Sequence, residues 1–437
     1  MRTMNRLVSL RATAAVATVT VLALTATACG GAGGSASGSG DPVTVWSLSN
    51  DALNPVQKQS ITSYNTQRGG KVTMKTFDND PYKQKLQSSL GGSGGPDVFL
   101  NWGGGNLAQY VKAGNVADLS GKLSADFKKE FLPSVLAGGE VDGKVYGVPM
   151  EGVQPVALFY NKDVFKTAGI DAPPATWKDL LSDVDKIKKK GITPIALAGS
   201  QSWTELMWLE YLLDRVGGPR AFADIEAGKA GAWENPAVET ALGMIKDLVD
   251  RGAFGKKYAK VNQDAGGTNA LLSQGKAGML LMGSWEYADM LAAAPQFIKD
   301  AKLGWAPFPT VAGGQGDPKN VVGNPCNYFS VTQSSSNKSG AVDFITKTVD
   351  QPSYIADLLS IGHVPAIAGI KGQLMGAINP QYTGFVYDLV ADAPTFTQSW
   401  DQALDPDIAT LMLNDLQKVF NKQMTPKEFV QSLAAAS

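Results

Sequence analysis

An α/β fold with a largely parallel sheet is what this sequence of 437 residues predicts, and two observations carry the prediction. Short apolar runs with strand character alternate with longer runs of helical periodicity. Polar or Gly-rich loops separate them. Strand, helix, strand, helix in succession is the pattern of a parallel sheet with helical crossovers. Right-handed crossovers place the strand ends on one rim, and that rim is where open α/β sheets bind ligands.

The elements follow in order. Val43-Thr44-Val45-Trp46 reads as a strand, Ser47 to Asn54 as a polar loop, and Pro55 to Gln67 as a helix. Lys71 to Phe77 alternates as a second strand, Asp78-Asn79-Asp80-Pro81 is a turn, and Tyr82 to Leu90 is helical. Asp97 to Leu100 is a short buried strand and Leu107 to Ala113 a helix. The rim loops are therefore Ser47–Asn50, Asp78–Asp80 and Asn101–Asn106. Beyond Val145 the expected strands are Val156–Tyr160, Pro194–Leu197, Gly278–Met282 and Leu303–Pro307, with amphipathic helices at Trp177–Lys190 and Glu205–Val216. The C-terminal third is helical, with polar loops at Gly362–Gly369 and Ala391–Asp401.

The first forty residues differ from the rest. Arg2, Arg6 and Arg11 precede an apolar run from Ala12 to Ala28, and Gly30 to Gly40 is nearly all Gly, Ser and Ala. That apolar run is short for a membrane span and lacks a stop-transfer flank, so residues 1–28 are expected to be a secretory signal. The small residues before Cys29 resemble a bacterial lipobox, which implies a lipidated Cys29 and a flexible tether over 29–40. An ordinary signal peptide containing Cys29 is the alternative. Either places the mature protein outside the cytoplasm.

Composition excludes several functions. Lys+Arg 39 against Asp+Glu 40 implies no polyanionic partner, and basic patches with interleaved aromatics for nucleic acid are missing. With Cys29 lipidated, Cys326 has no partner for an internal disulfide. The single histidine, His363, argues against a histidine metal site or a catalytic triad. No cofactor or metal is expected. Nine Trp and twelve Tyr, by contrast, suit stacking on flat sugar rings.

Several stretches resemble the extracellular solute-binding proteins of bacterial ABC importers, of the large sugar-binding class. They are Pro96 to Trp102, Lys144 to Pro149, Leu158 to Lys162, Pro174 to Trp177, Leu272 to Met279 leading to Gly283-Ser284-Trp285, and Gly304 to Pro309. Asn101 to Gly105 and Ser399-Trp400-Asp401 are similar to binders of xylobiose or related oligosaccharides. The resemblance implies a two-lobe fold like that of periplasmic binding proteins of class II, with the cleft between lobes joined by a hinge. It implies lobes of 41–151 plus 305–349 and of 152–304 plus 350–437. Crossings near Glu151–Pro155, Ala301–Pro307 and Gln351 would form the hinge. It further implies capture of a neutral oligosaccharide by hinge closure and delivery to ABC permease transmembrane subunits. The expected location is the extracellular face of the cell membrane, by lipid anchor, as a monomer and not an enzyme.

The candidate ligand-binding residues are rim groups. Trp102 and Gly103 follow a buried strand, and Trp285 follows another at a place where the family stacks an aromatic on sugar. Trp203 lies after Pro194–Leu197 and Trp400 in a polar loop. Asp78 ends the second strand, where a charged acceptor suits paired hydroxyls. Glu151 and Gln154 sit on a crossing, Glu151 alternatively as a hinge partner. Ser47, Asn50, Asn324, Asn327 and His363 complete the set. The rival function is a secreted glycoside hydrolase, which needs two facing carboxyl groups such as Asp78 and Glu151.

Overall fold

The computed structural model describes residues 42–92 and 94–436. The expected signal, lipidation and tether over residues 1–40 lie outside the described residues. Thirteen strands form among the described residues. In chain order they are β1 (Val43–Leu48), β2 (Val72–Phe77), β3 (Val98–Asn101), β4 (Glu140–Val141), β5 (Lys144–Val145), β6 (Val148–Pro149) and β7 (Gln154–Asn161). There follow β8 (Thr193–Ala196), β9 (Ala277–Gly283), β10 (Leu303–Ala306), β11 (Val321–Asn324), β12 (Tyr328–Val331) and β13 (Phe396–Gln398). One sheet has the order β2-β1-β3-β12-β6, and a second has β13-β11-β7-β9-β8 with β10 also on β7.

The first sheet is parallel where the sequence predicted it. Val43 to Leu48 pairs in register with Val72 to Phe77, and Val45 and Trp46 pair with Val98 and Phe99. At its far side β12 runs antiparallel to β3, and β6 runs antiparallel to β12. Val45, Val98 and Phe99 are wholly buried, as short apolar strands under helices must be. The second sheet is built around β7, which pairs with β9 on one side and with β10 and β11 on the other. Both faces of β7 are buried, which explains its continuous apolar run Val156 to Phe159.

Helix ends are fixed by local chemistry. Asn161 Oδ1 accepts from the backbone N–H groups of Asp163 and Val164, while its Nδ2 donates to the carbonyl of Leu272. Thr176 and Asp179 form a reciprocal capping box that starts the helix Trp177–Lys189. Helix Glu205–Val216 of the sequence reading is longer, Ser202–Gly217, so Trp203 stands in its first turn and not in a preceding loop.

The chain passes between the sheets at different points from those expected. The first crossing, expected near Glu151–Pro155, is Met150–Val153 between β6 and β7. The second was expected near Ala301–Pro307, but β10 and β11 both pair with β7. It falls instead at Pro325–Asn327, between β11 and β12. The third was expected near Gln351, yet the helix Pro352–Ser360 still packs Tyr354 and Leu358 against Leu53 and Val56 of the helix Leu53–Arg68. The chain returns to the first crossing only at Val364–Ala366, where the Val153 N–H bonds the carbonyl of Val364.

The loop before β11 is held from beneath. Arg215 is 2% exposed and donates to the carbonyls of Asp317, Pro318 and Asn320, and its ion pair with Asp214 is 2.5 Å long. Asn320 Nδ2 also donates to Asp214. Replacing Arg215 by Met strands a buried carboxylate and is expected to cost about 3–5 kcal/mol. Urea unfolding followed by circular dichroism checks this; a loss below about 1 kcal/mol would show that the pair is not structural.

Candidate functional site

A cavity of about 650 Å³ opens between the two sheets. The carboxyl ends of β1, β2 and β3 supply Asn50, Asp51, Asp78, Asn79 and Trp102. The opposite wall comes from Trp203 and Met207 of the helix after β8, Trp285 and Asp289 after β9, and the segment Gln263–Asn269. The crossings contribute Glu151, Gln154, Asn324 and Asn327 at the back, and Ser399, Asp401 and Gln402 close one side. Both sheets thus present the rim that the strand–helix order predicts.

Three indoles give the cavity its apolar surface. Trp203 and Trp285 have ring centroids 6.4 Å apart at 46°. Trp285 can lie over the end of β9 because residue 283 is glycine; a Cβ there would sit 1.9 Å from the indole ring. Ser284 anchors that turn, its N–H bonded to the carbonyl of Pro155 and its hydroxyl to that of Val153. Its carbonyl accepts the Tyr382 hydroxyl. Trp102 packs edge-on to Tyr82, with the Lys83 ammonium 5.1 Å from its ring centroid.

Polar groups surround these rings. Asp78 lines the cavity and its side chain makes no cap bond to the following helix, so it remains available to a ligand. Glu151 is 5% exposed; it accepts from Asn327 Nδ2 at 2.7 Å, and His363 Nδ1 lies 3.1 Å from its other oxygen. Among the described residues Lys83 is the one cation on the wall, and it is paired with Asp401 at 2.9 Å. Trp203 Nε1, Asn324 Oδ1 and Asn327 Oδ1 have no hydrogen-bond partner among the described residues. Burial pushes the Asp289 carboxyl up to about 6, against the hydrogen bond from Asn50 that pulls it down. Burial likewise raises Asp264, and the charges of Asp80 and Asp78 add to the rise.

Of the residues expected from sequence, Asn50, Asp78, Trp102, Glu151, Gln154, Trp203, Trp285, Asn324 and Asn327 come together here. Four do not reach the cavity. Ser47 is wholly buried and bonded to Gln57. Gly103 is a packing glycine: at φ 74° its Cβ would lie 2.2 Å from the carbonyl oxygen of Gly138. Gly104 and Gly105 likewise make room for residues 398–404, not for a ligand. Trp400 is 1% exposed and stacks on Phe222, because the buried Glu210 holds Ser399 and the Trp400 N–H and turns the indole inward. His363 stands behind Glu151 as its support. Asp51, Lys83, Gln263, Asp264, Asp289 and Asp401 line the cavity without having been expected; no local motif marks them, since each sits on an ordinary polar loop or helix face.

A model of the bacterial extracellular solute-binding protein family matches residues 46–347. The chain belongs to this family. It is 29% identical over 46% of its length to an uncharacterized ABC transporter extracellular-binding protein of Pyrococcus horikoshii, covering 45% of that protein. It is 26% identical over 62% of its length to the diacetylchitobiose binding protein DasA of Streptomyces coelicolor, covering 61% of it. The chain thus spans about half the length of the curated relatives it matches. A solved structure from work on xylan utilization by Caldanaerobius polysaccharolyticus aligns with TM-score 0.82 and 26% identity, over 91% of this chain and all of that one.

The second crossing carries Cys326, fully buried, with its thiol 3.4 Å from the carbonyl of Glu151. Burial pushes this thiol up to about 12. The folded protein is therefore expected to leave Cys326 unreacted with a thiol reagent at pH 8 and to expose it on denaturation. Rapid labelling of the native protein would place the crossing elsewhere.

Proposed function

We propose that the protein captures a neutral oligosaccharide outside the cytoplasm and delivers it to the transmembrane subunits of an ABC importer. The observation that carries this reading is the cavity wall: a tilted pair of indoles, a third indole opposite, and a rim of carboxylates and amides. Sugar rings offer flat C–H faces to indoles and hydroxyl edges to charged acceptors. Trp203, Trp285 and Trp102 would stack on the ligand, and Asp78, Gln154 and Asn324 would take its hydroxyls. A phosphorylated or acidic sugar fits poorly, because Lys83 is already neutralised by Asp401. The size suits a di- or small oligosaccharide. The diacetylchitobiose binder among the relatives and the xylan-related neighbour support this class.

In this reading the lobes run 42–150 with about 328–360, and 154–324 with about 366–436, joined at the three crossings. Ligand touching both lobes favours the closed form. A lipid on Cys29 would hold the protein, as a monomer, at the outer membrane face. Hydrolysis is not favoured: both carboxylate oxygens of Glu151 are engaged by Asn327 and His363, which leaves it a poor general acid.

A thermal-shift screen of residues 41–437 against xylobiose, cellobiose, maltose and diacetylchitobiose, with the sugars recovered by chromatography, tests the reading. Stabilisation by at least one of them, recovered intact, is expected. Cleaved sugar would point to the hydrolase, and no shift would remove the oligosaccharide. Trp285→Ala is expected to weaken binding of the stabilising sugar by about 1–3 kcal/mol, the range of aromatic stacking on nucleobases. Calorimetry reads this as roughly a 5- to 150-fold rise in Kd; an unchanged Kd would remove Trp285 from the site.

A further inference from the structure

The cavity is walled at one end and open at the other. The walled end lies where the loop after β3 meets the segment after β13, an edge strand of the second sheet. Gln398 Nε2 donates to the carbonyl of Trp102 at 2.7 Å, and Asn106 Nδ2 donates to the carbonyl of Asp401 and to Gln402 Oε1. The main chains approach so closely that a Cβ on Gly105 would lie 2.5 Å from the carbonyl oxygen of Leu404. The Lys83–Asp401 ion pair joins the same two sides at 2.9 Å. Trp102, Asp401 and Gln402 line the cavity and are nonetheless buried. Main chains in contact leave no passage for a sugar ring.

The other end differs in burial and in side-chain size. Its lining includes Asp51, Ala265, Ala270, Ala292 and Ala293, all of them exposed. Ala270 lies on the helix Gly267–Ser273, and Ala292 and Ala293 end the helix Glu286–Ala293, which follows β9. β9 and β8 stand on the side of the second sheet away from β13. The two sides touch here through neighbours of these residues. Asn50, next to Asp51, donates to Asp289 Oδ1 at 2.9 Å. Gln201 bonds Asp264, next to Ala265, at 2.9 Å and reaches Asp80 at 3.4 Å. Alanine at the other four positions puts nothing longer than a methyl group in the way.

Resting on oligosaccharide capture in this cleft, we propose that the ligand binds by one end. A terminal sugar lies beside Trp102 against Lys83, Asp401 and Gln402. The next rings meet the indoles of Trp203 and Trp285, and any further sugars leave past Asp51 and Ala292. The protein thus selects a free chain end and tolerates chain length. The chemistry of the wall suits a terminus, because a terminal ring carries a hydroxyl where an inner ring carries a linkage. The Lys83 ammonium has three donors, of which the bond to Asp401 uses one. Hydrogen bonds from a charged donor are the stronger kind. A substituent in place of that hydroxyl would meet the closed wall. Sugars outside the buried part stay in water and add little, so affinity levels off with length.

The test is calorimetry with the dimer, trimer and hexamer of the xylose series and of the N-acetylglucosamine series. In the series that binds, the hexamer is expected within about threefold of the trimer in Kd. That hexamer is then labelled with fluorescein at C1 of its reducing end, or at O4 of its non-reducing end. One derivative is expected to keep its Kd within about threefold, and the other to lose at least about a hundredfold. Equal behaviour of the two derivatives overturns the proposal, and so does a hexamer that binds about a hundredfold more weakly than the dimer. Lys83→Ala, with an unchanged melting temperature, is expected to weaken dimer and hexamer by the same factor, at least about fivefold. An unchanged Kd in this variant overturns the placement of the terminal sugar. Failure of every dimer and hexamer to bind the unmodified protein removes the oligosaccharide reading, and this inference with it.

Discussion

Everything at this site depends on one buried carboxylate. Glu151 lies where the sheets meet, almost out of contact with water, and a charge there is tolerated only if its oxygens are occupied. The occupants come from the other two crossings. Asn327 of the second donates to one oxygen, and His363 of the third stands by the other. The backbone repeats the pattern: the carbonyl of Glu151 accepts the thiol of Cys326 and the N–H of Ala366. One residue thus ties together all three segments about which the lobes would move. Removing its side chain would leave Asn327 and His363 facing each other's donors in a dry space, a cost of the kind that unsatisfied buried groups carry.

Gln154 and Asn324 gain their positions from the same junction. They face each other as the last pair of β7 and β11, so a slip of one residue would turn both away from the cavity. The register is protected nearby. Gly323 takes φ 137° and approaches the carbonyl of Gln154 so closely that a Cβ would lie 2.3 Å from it. Asn324 then emerges with its Oδ1 free of any donor among the described residues. A polyhydroxyl ligand can supply what the fold withholds there, so rigidity at the junction becomes affinity in the cleft.

The legible part of the molecule is the part whose signal is local. β1, β2 and β3 were readable because alternating apolar residues and polar turns bound them, and their rim loops followed from topology. Trp285 was singled out because it follows a strand at a place where the resembled family stacks an aromatic, and it lines the cavity because glycine at 283 leaves room for its indole. The misplaced second crossing has the opposite cause: Leu303 to Ala306 is as apolar as a crossing strand, while the true passage is the three residues Pro325-Cys326-Asn327. Trp400 misled because its neighbours are polar. Those neighbours do face the cavity, but Glu210, far away in sequence, turns the indole between them into the core. Asp264 and Asp289 carry no local mark, since each sits on an ordinary polar loop or helix face.

Glu210 belongs to a wider set of acids beneath the cavity wall. Burial pushes Glu205 up to about 9 and Glu210 up to about 8, and raises Glu286 well above the usual carboxylate range. At neutral pH Glu205 and Glu210 are then mostly uncharged, and the interior avoids the cost of isolated anions under the indoles. Asp289 differs because it lies at the wall itself, with an amide of the opposite lobe over it. The deeper acids share a permanent environment, whereas the environment of Asp289 changes if the lobes part. Similar side chains thus acquire different surroundings according to whether they lie beneath the wall or at it.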